Sequence, residues 1–274
     1  MPRAMNVVPP RGGRILLAML PFLLIAIVYV IGSAERRAAN PDDKLLPPFS
    51  EMVETSKRLA AEPDRRSGEY VLWVDTAASL QRLVLGLGIA AGLGLAFGLM
   101  IGLLPVAGAG FGTLVAVLSM IPPMAVLPIL FIVFGLGELS KVMLIIIGVT
   151  PTMIRDLSLE VAAMPREQLV KAQTLGGSTW QIAIRVVLPQ IMPRLIKCVR
   201  LMIGPAFLFL ISAEAIASDV GLGYRIFLVR RYLSMDVILP YVVWITLLAY
   251  LFDFALSWTG RRAFPWAFAE EGRR

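Results

Sequence analysis

The sequence predicts an all-α membrane protein with about six transmembrane helices, and three observations carry that reading. First, 58% of its 274 residues are hydrophobic and 16% are charged, against about 45–50% and about 25% in an average globular domain; the mean hydropathy is +0.77. Second, apolar runs approaching the ~20 residues that cross a hydrocarbon core recur along the chain. Third, the charges between those runs are sorted by sign. The chain has no His and 1 Cys, Cys198, so zinc sites, Ser-His and Cys-His dyads and disulfides lack their residues.

The first run, 14–32 (RILLAMLPFLLIAIVYVIG), follows the basic residues Arg3, Arg11 and Arg14. It exceeds the about 7–15 apolar residues of a signal peptide and reads as an uncleaved span, with a signal peptide cut near Ser33-Ala34 as the second reading. The segment 33–78 is too long and too charged for a tight turn. Within it PFSEMVETSKRLA sets Phe49, Met52, Val53 and Leu59 at helical spacing, which predicts a surface helix. Tyr70, Leu72, Trp73 and Val74 read as an interfacial approach to the second span, 83–104.

In that second span Gly86, Ala90, Gly94, Gly98 and Gly102 recur every four residues, a small-residue face that lets another helix approach closely. No strand precedes Gly86-Leu-Gly88, so it is not a dinucleotide fingerprint. The third span, 112–136, contains Met120-Ile121-Pro122-Pro123 and Pro128. It reads either as a kinked packing helix or as a pathway wall at Ser119 to Met124. A short fourth span, 141–154, is expected to end near Pro151.

Residues 155–194 mix apolar and basic side chains. Leu169, Ala172, Leu175 and Gly176 have helical spacing; Gly176-Gly177 breaks it, Ser178 caps a second helix, and Leu188-Pro189 is read as its stop. The pair either rests on anionic lipid or docks in the groove of a cytoplasmic protein. No GxxxxGK[ST] phosphate loop occurs in the chain, which is therefore read as no enzyme. The fifth span, 195–217, carries Glu214 near its outer end. An acid there faces protein or water; Arg82 is its expected partner in a helix-packing ion pair, with substrate contact the second reading and Ser212 in the same region. The sixth span is 237–258.

With the N-terminus cytoplasmic, six spans leave 3–14, 155–194 and 259–274 inside and 33–78 and 218–236 outside. Counted through residue 200, the inside segments hold 14 Lys and Arg against 5 acids, and the outside segments 10 against 11. This follows the positive-inside rule, so the basic charge needs no nucleic acid.

Ala172 to Trp180 followed by Val186-Val-Leu188-Pro189 resembles the EAA loop, pattern EAA-x3-G-x9-I-x-LP, of inner-membrane permease subunits of bacterial ABC importers. Aligned on Gly176, the family's Glu falls at Val170, its first Ala at Lys171 and its second at Ala172, so the Glu is missing. The blocks SLQRLVLGLGIAAGLGLAFGLMIGL, SMIPPMAVLPILFIVFGLGELSK and AEAIASDVGLGYRIF are similar to the nitrate, sulfonate, taurine and bicarbonate branch, and the stretches MIPPMAVLPILFIVFGLGELSKV and DVGLGYRIFLVRRYLSMDVILPYV resemble permeases associated with urea carboxylase.

The resemblance implies a type I permease fold: an N-terminal unit 1–78, a core 79–262 of five spans with the coupling loop 155–194, and a cytoplasmic tail 263–274. It implies a multi-pass protein of the bacterial plasma membrane with both termini cytoplasmic. Its partners would be the lipid bilayer, a second permease copy, an ATPase that binds ATP and Mg and docks under 167–189, and a periplasmic or extracellular solute-binding protein. This chain itself would hold no cofactor and no metal. ATPase coupling would fall to Val170, Lys171, Ala172, Leu175, Gly176, Gly177, Trp180, Val186, Leu188 and Pro189. From position alone the pathway candidates are Ser119, Met120, Pro122, Ser212 and Glu214, and the solute is a nitrate-, sulfonate-, taurine-, urea- or guanidine-like molecule.

The main rival is an ion-coupled secondary transporter, which predicts an inverted repeat and more buried ionisable groups. An intramembrane enzyme would have only Arg82, Glu138 and Glu214, and Glu138 is expected in a separate outer turn, too far from the other two.

Overall fold

The computed structural model describes residues 10–40, 43–64 and 68–268. Arg3, the side chains of Arg11 and Arg14, and the tail from 269 onward lie outside them. Every described element is helical: α1 (Arg11–Ala39), α2 (Phe49–Ala61), α3 (Val71–Leu103), α4 (Pro105–Leu118), α5 (Pro123–Phe134), α6 (Glu138–Ala162), α7 (Arg166–Thr174), α8 (Thr179–Ile182), a π-helical turn (Ala183–Val187), α9 (Leu188–Ala217), α10 (Leu222–Arg230), α11 (Met235–Ala263) and α12 (Pro265–Phe268). Five helices are long and apolar enough to cross a membrane, or six if the bent pair α4–α5 is one span.

The small-residue face of α3 lies along α6. A Cβ added at Gly98 would sit 2.7 Å from Leu157 Cβ, and one at Gly102 2.6 Å from Val161 Cβ. Gly86 meets Ile145 and Gly94 meets Met153 in the same way, and Ala90 is fully buried between them. Glycine here removes the side-chain layer that normally keeps helices 8–10 Å apart. Around this seam Leu144, Val149, Met153, Ile191, Leu210, Ala213 and Tyr241 form the core that joins α3, α6, α9 and α11.

The helix α1 lies outside this core, with none of its apolar window buried. Polar contacts at its C-terminal half hold it to the following segment: Tyr29 Oη donates to the Pro47 carbonyl at 2.5 Å, Ser33 Oγ to the Leu46 carbonyl at 2.8 Å, and Arg36 pairs with Asp43 at 2.5 Å. The hydrogen bond from Arg36 holds the Asp43 carboxyl below its usual range. The expected surface helix is α2, which crosses the end of α11 through Thr55 and Asp236, 3.0 Å apart. Thr55 is buried in that contact, whereas Phe49 and Val53 stay half exposed.

Several expected boundaries are corrected. The second span starts at Val71, so α3 is 33 residues long and about 50 Å at 1.5 Å per residue; Leu72, Trp73 and Val74 are its first turn. The third span is not one helix, because α4 and α5 meet at 94°. Pro122 and Pro123 supply no N–H to continue α4, and Pro123 restarts the chain at the first position of α5, where none is needed.

The fourth span does not end at Pro151 but runs to Ala162. A proline in a helix interior costs about 3 kcal/mol in water, and the α3 seam, which continues to Val161, holds α6 together past it. Leu188-Pro189 does not stop a helix either. The π-helical turn widens the backbone so that Pro189 enters the first turn of α9, and Thr179 to Ala217 is a single 39-residue path.

Candidate functional site

Two regions carry polar or exposed chemistry, one at each end of the helix bundle. At the first, α7 ends in a glycine turn. Gly176 N–H donates to the Gln173 carbonyl at 2.9 Å and Gly177 N–H to the Ala172 carbonyl at 3.0 Å, the double closure of a Schellman motif. Gly176 has φ +81°, and a Cβ at Gly177 would sit 2.8 Å from the Ala172 carbonyl oxygen. Both glycines are therefore required by backbone geometry.

Ser178 then opens α8 as a capping box, its Oγ accepting from Gln181 N–H at 3.3 Å while Gln181 Oε1 accepts from Ser178 N–H at 2.9 Å. Ile182 and Val187 bury themselves beneath the turn, and Gln190 Nε2 donates to Gln168 Oε1 at 3.0 Å, tying α7 to α9. What remains uncovered is apolar: Leu175 is 88% exposed, Trp180 74% and Val170 53%. Leu175 borders a concavity of about 470 Å³ lined by Ala172, Gly176, Gly177, Arg185 and Val186 among others, whereas Trp180 lines a separate apolar groove against Leu95, Leu99 and Leu103 of α3. Lys171 and Pro189 are exposed and Leu188 half buried. Arg194 pairs with Asp156 below this end, joining α9 to α6.

At the opposite end a buried polar network binds α3 to α6, α9, α10 and α11. Asp75, Ser79 and Arg82 occupy positions i, i+4 and i+7 of α3, one face of the helix. Asp75 accepts from Arg225 Nε at 2.8 Å, Gly221 N–H at 2.9 Å and Tyr241 Oη at 3.0 Å. Glu214, fully buried, accepts from Arg82 Nη1 at 2.6 Å, Ser79 Oγ at 2.7 Å and Gly223 N–H at 2.8 Å. A Cβ at Gly221 would lie 2.6 Å from the Glu214 carboxyl carbon, so glycine is what lets the α9–α10 turn close over the acid.

The ion pair expected between Arg82 and Glu214 is present. The expected separation of Glu138 is not: Arg82 also binds Glu138 through Nε and, at 2.8 Å, through Nη2, and Lys141 Nζ reaches the same carboxylate at 2.8 Å. The helix α6 packs along α3 from its first turns, with Ile145 against Gly86, so its first residue lies beside Arg82. The sequence reading also missed Asp75, Ser79, Lys141 and Tyr241; the i, i+4, i+7 spacing on α3 was the available signal for the first two.

The pathway candidates Ser119, Ser212 and Glu214 each bond to different partners. Ser119, Met120 and Pro122 form the α4–α5 break; Ser119 Oγ donates to the Ala116 carbonyl at 2.7 Å, and Met120 is largely exposed. Ser212 Oγ donates to the Leu208 carbonyl within its own helix at 2.7 Å. Among the described residues no group of three or more His, Cys, Asp and Glu is placed to hold a metal ion.

Residues 86–265 match the family described as binding-protein-dependent transport system inner membrane component. The chain is 31% identical over 221 residues to the Escherichia coli taurine transport system permease protein TauC, covering 81% of this chain and 80% of that protein. It is 30% identical over 252 residues to the bicarbonate transport system permease protein CmpB of Synechococcus elongatus, covering 90% and 88%. A chain of the MetNI methionine ABC transporter, solved in inward facing conformations, shares the fold with a TM-score of 0.63 at 17% identity, covering 73% of this chain and 99% of that one. The urea-type resemblance has no counterpart in these relatives. The helical bundle, its paired exposed helices and these matches together place the chain among the inner membrane permease components of binding-protein-dependent transport systems.

Proposed function

We propose that this permease works as one of two membrane halves of an importer for a small solute bearing an oxyanion group, driven by a separate ATPase that docks on α7 and α8. The observation that carries the reading is the exposed Leu175 and Trp180 on a glycine-fixed helix pair. Apolar side chains of this size, held on a short helix and at the start of the long path that ends in α9, suit insertion into a groove of a protein partner. The π-helical turn joins them without interruption to α9, so force on α8 moves the helix that carries Glu214.

The excess of Lys and Arg around this end supports placing it, with both termini, in the cytoplasm. The opposite end, with α2 and the α10–α11 turn, then faces a solute-binding protein. The unit 1–78 adds α1 and α2 to a core of residues 79–262. Taurine and bicarbonate, named for the two relatives, both carry an oxyanion, and this is the support for the solute class. Val170 in place of an acid leaves α7 to dock mainly through apolar contact, with Glu167 in its first turn.

The test is uptake into proteoliposomes containing the permease, its co-encoded ATPase and binding protein. ATP-dependent accumulation of a sulfonate or bicarbonate supports the proposal. Accumulation driven by an ion gradient without ATP would replace it with secondary transport.

A further inference from the structure

Outside the segments 3–14, 33–78, 155–200, 218–236 and 259–274, the chain keeps five charged residues: Arg82, Glu138, Lys141, Glu214 and Asp253. Four of them form a single cluster, and its two acids are held very differently. Glu214 is fully buried and keeps Ser79 and Gly223 as partners independent of Arg82. Glu138 is 64% exposed, and its carboxylate is held only by the Arg82 fork and Lys141, both of whose side chains are 4% exposed. A solvent-facing acid therefore occupies the donors of two buried cations.

The surroundings leave the approach open. Gly135 and Gly137, on the turn before Glu138, have nothing within 4 Å of an added Cβ. Glu138 is the first residue of α6, whose cap Gly137 offers no side chain to the free N–H groups, and a helix start favours negative charge. The three donors, Arg82 Nε and Nη2 and Lys141 Nζ, converge on one carboxylate, the geometry that guanidinium and ammonium groups use for planar and tetrahedral oxyanions.

We propose that Arg82 and Lys141 form an oxyanion site at the outer end of α3 and α6, which Glu138 occupies in this conformation and yields to the oxyanion group of the entering solute. The reading of the solute's entry rests on the importer function proposed above. Charge sets the class. With Glu214 paired to Arg82, one further negative charge balances the two cations, so the site takes a monoanion such as nitrate, bicarbonate or a sulfonate. A dianion would leave an uncompensated buried charge.

The test uses the permease–ATPase assembly with Glu138→Ala and the near-isosteric Glu138→Gln. Thermal midpoints are measured against nitrate, methanesulfonate and, at matched ionic strength, sulfate. The site predicts that both variants unfold below the unaltered assembly and that nitrate or methanesulfonate restores the midpoint saturably, with sulfate ineffective. Adding Lys141→Met abolishes the rescue. Absence of any anion effect, or an equal effect of sulfate, overturns the site.

Should the Glu138 variants fail to assemble, Lys141→Gln in the full importer decides. Loss of one charge-assisted bond raises the half-saturating concentration of delivered anion roughly 10–100-fold, and an unchanged value overturns the proposal. ATP-dependent uptake by the unaltered importer is scored separately. If it is present while the variants show no anion effect, only the site falls; if it is absent while anion rescue holds, the importer reading falls.

Discussion

Replacing Arg82 by Met isolates what the buried network contributes. The substitution keeps the aliphatic stem and removes the guanidinium that serves Glu214 at 2.6 Å, the Val220 carbonyl at 2.9 Å and Glu138. Glu214 keeps Ser79 and Gly223, and Glu138 keeps Lys141 and turns to solvent. The main loss is therefore one uncompensated carboxylate in a fully buried position, for which removing a single partner costs about 3–5 kcal/mol. The two hydrogen bonds that remain on Glu214 place the expected cost at the lower end, about 3 kcal/mol.

Glu214→Gln in the same chain removes the stranded charge and keeps a group that Ser79 and Gly223 can bind. The double variant is then more stable than Arg82→Met alone, with a coupling of about 1–3 kcal/mol. Unfolding free energies of the four chains in one mild detergent measure this cycle. Additive effects, or an Arg82→Met chain as stable as the original, would show that the ion pair does not hold α3 to α9.

The remaining predictions concern glycines and caps. Gly98→Ala places its Cβ 2.7 Å from Leu157 Cβ and is expected to cost about 1–3 kcal/mol of overpacking, while Gly88→Ala, with nothing within 4 Å, should not lower the same unfolding measurement. Gly176→Val, forced to φ +81°, strains the Schellman turn by about 1–2 kcal/mol; ATP hydrolysis should continue with uptake lost, and unchanged uptake in the proteoliposome assay would count against the lever. Ser178→Ala removes the capping box, at about 1 kcal/mol, and should weaken retention of the ATPase without altering the overall fold seen by circular dichroism.

Much of the architecture was legible because a bilayer makes simple demands. Long apolar runs, the four-residue glycine spacing on α3 and the sorting of Lys and Arg each report a requirement a single segment must meet alone. Ser178 was legible as a cap, and Arg82 and Glu214 as partners, since a buried charge in a span calls for another. Proline was the misleading signal. Pro151 and Pro189 sit within helical paths because tertiary packing and a π-helical turn absorb their missing N–H groups, whereas Pro122 and Pro123 do break the chain.

Local pattern does not separate these cases; what packs on the neighbouring face does. Glu138 was misplaced for a related reason. A charge at a loop edge looks solvated in sequence, and only the packing of α6 along α3 brings it to Arg82 and Lys141.

The proposed mechanism has a separate ATPase grip this permease at α7 and α8. The direct measurement is to solubilise the tagged chain gently from its native membrane, as the original and as Leu175→Asp with Trp180→Ala, and to identify by mass spectrometry what stays bound. Both side chains are largely exposed, so the altered chain should fold and insert as before. An ABC-type ATPase should stay bound to the original and be absent from the altered chain; equal recovery with both, or none with either, would rule out docking at α7 and α8.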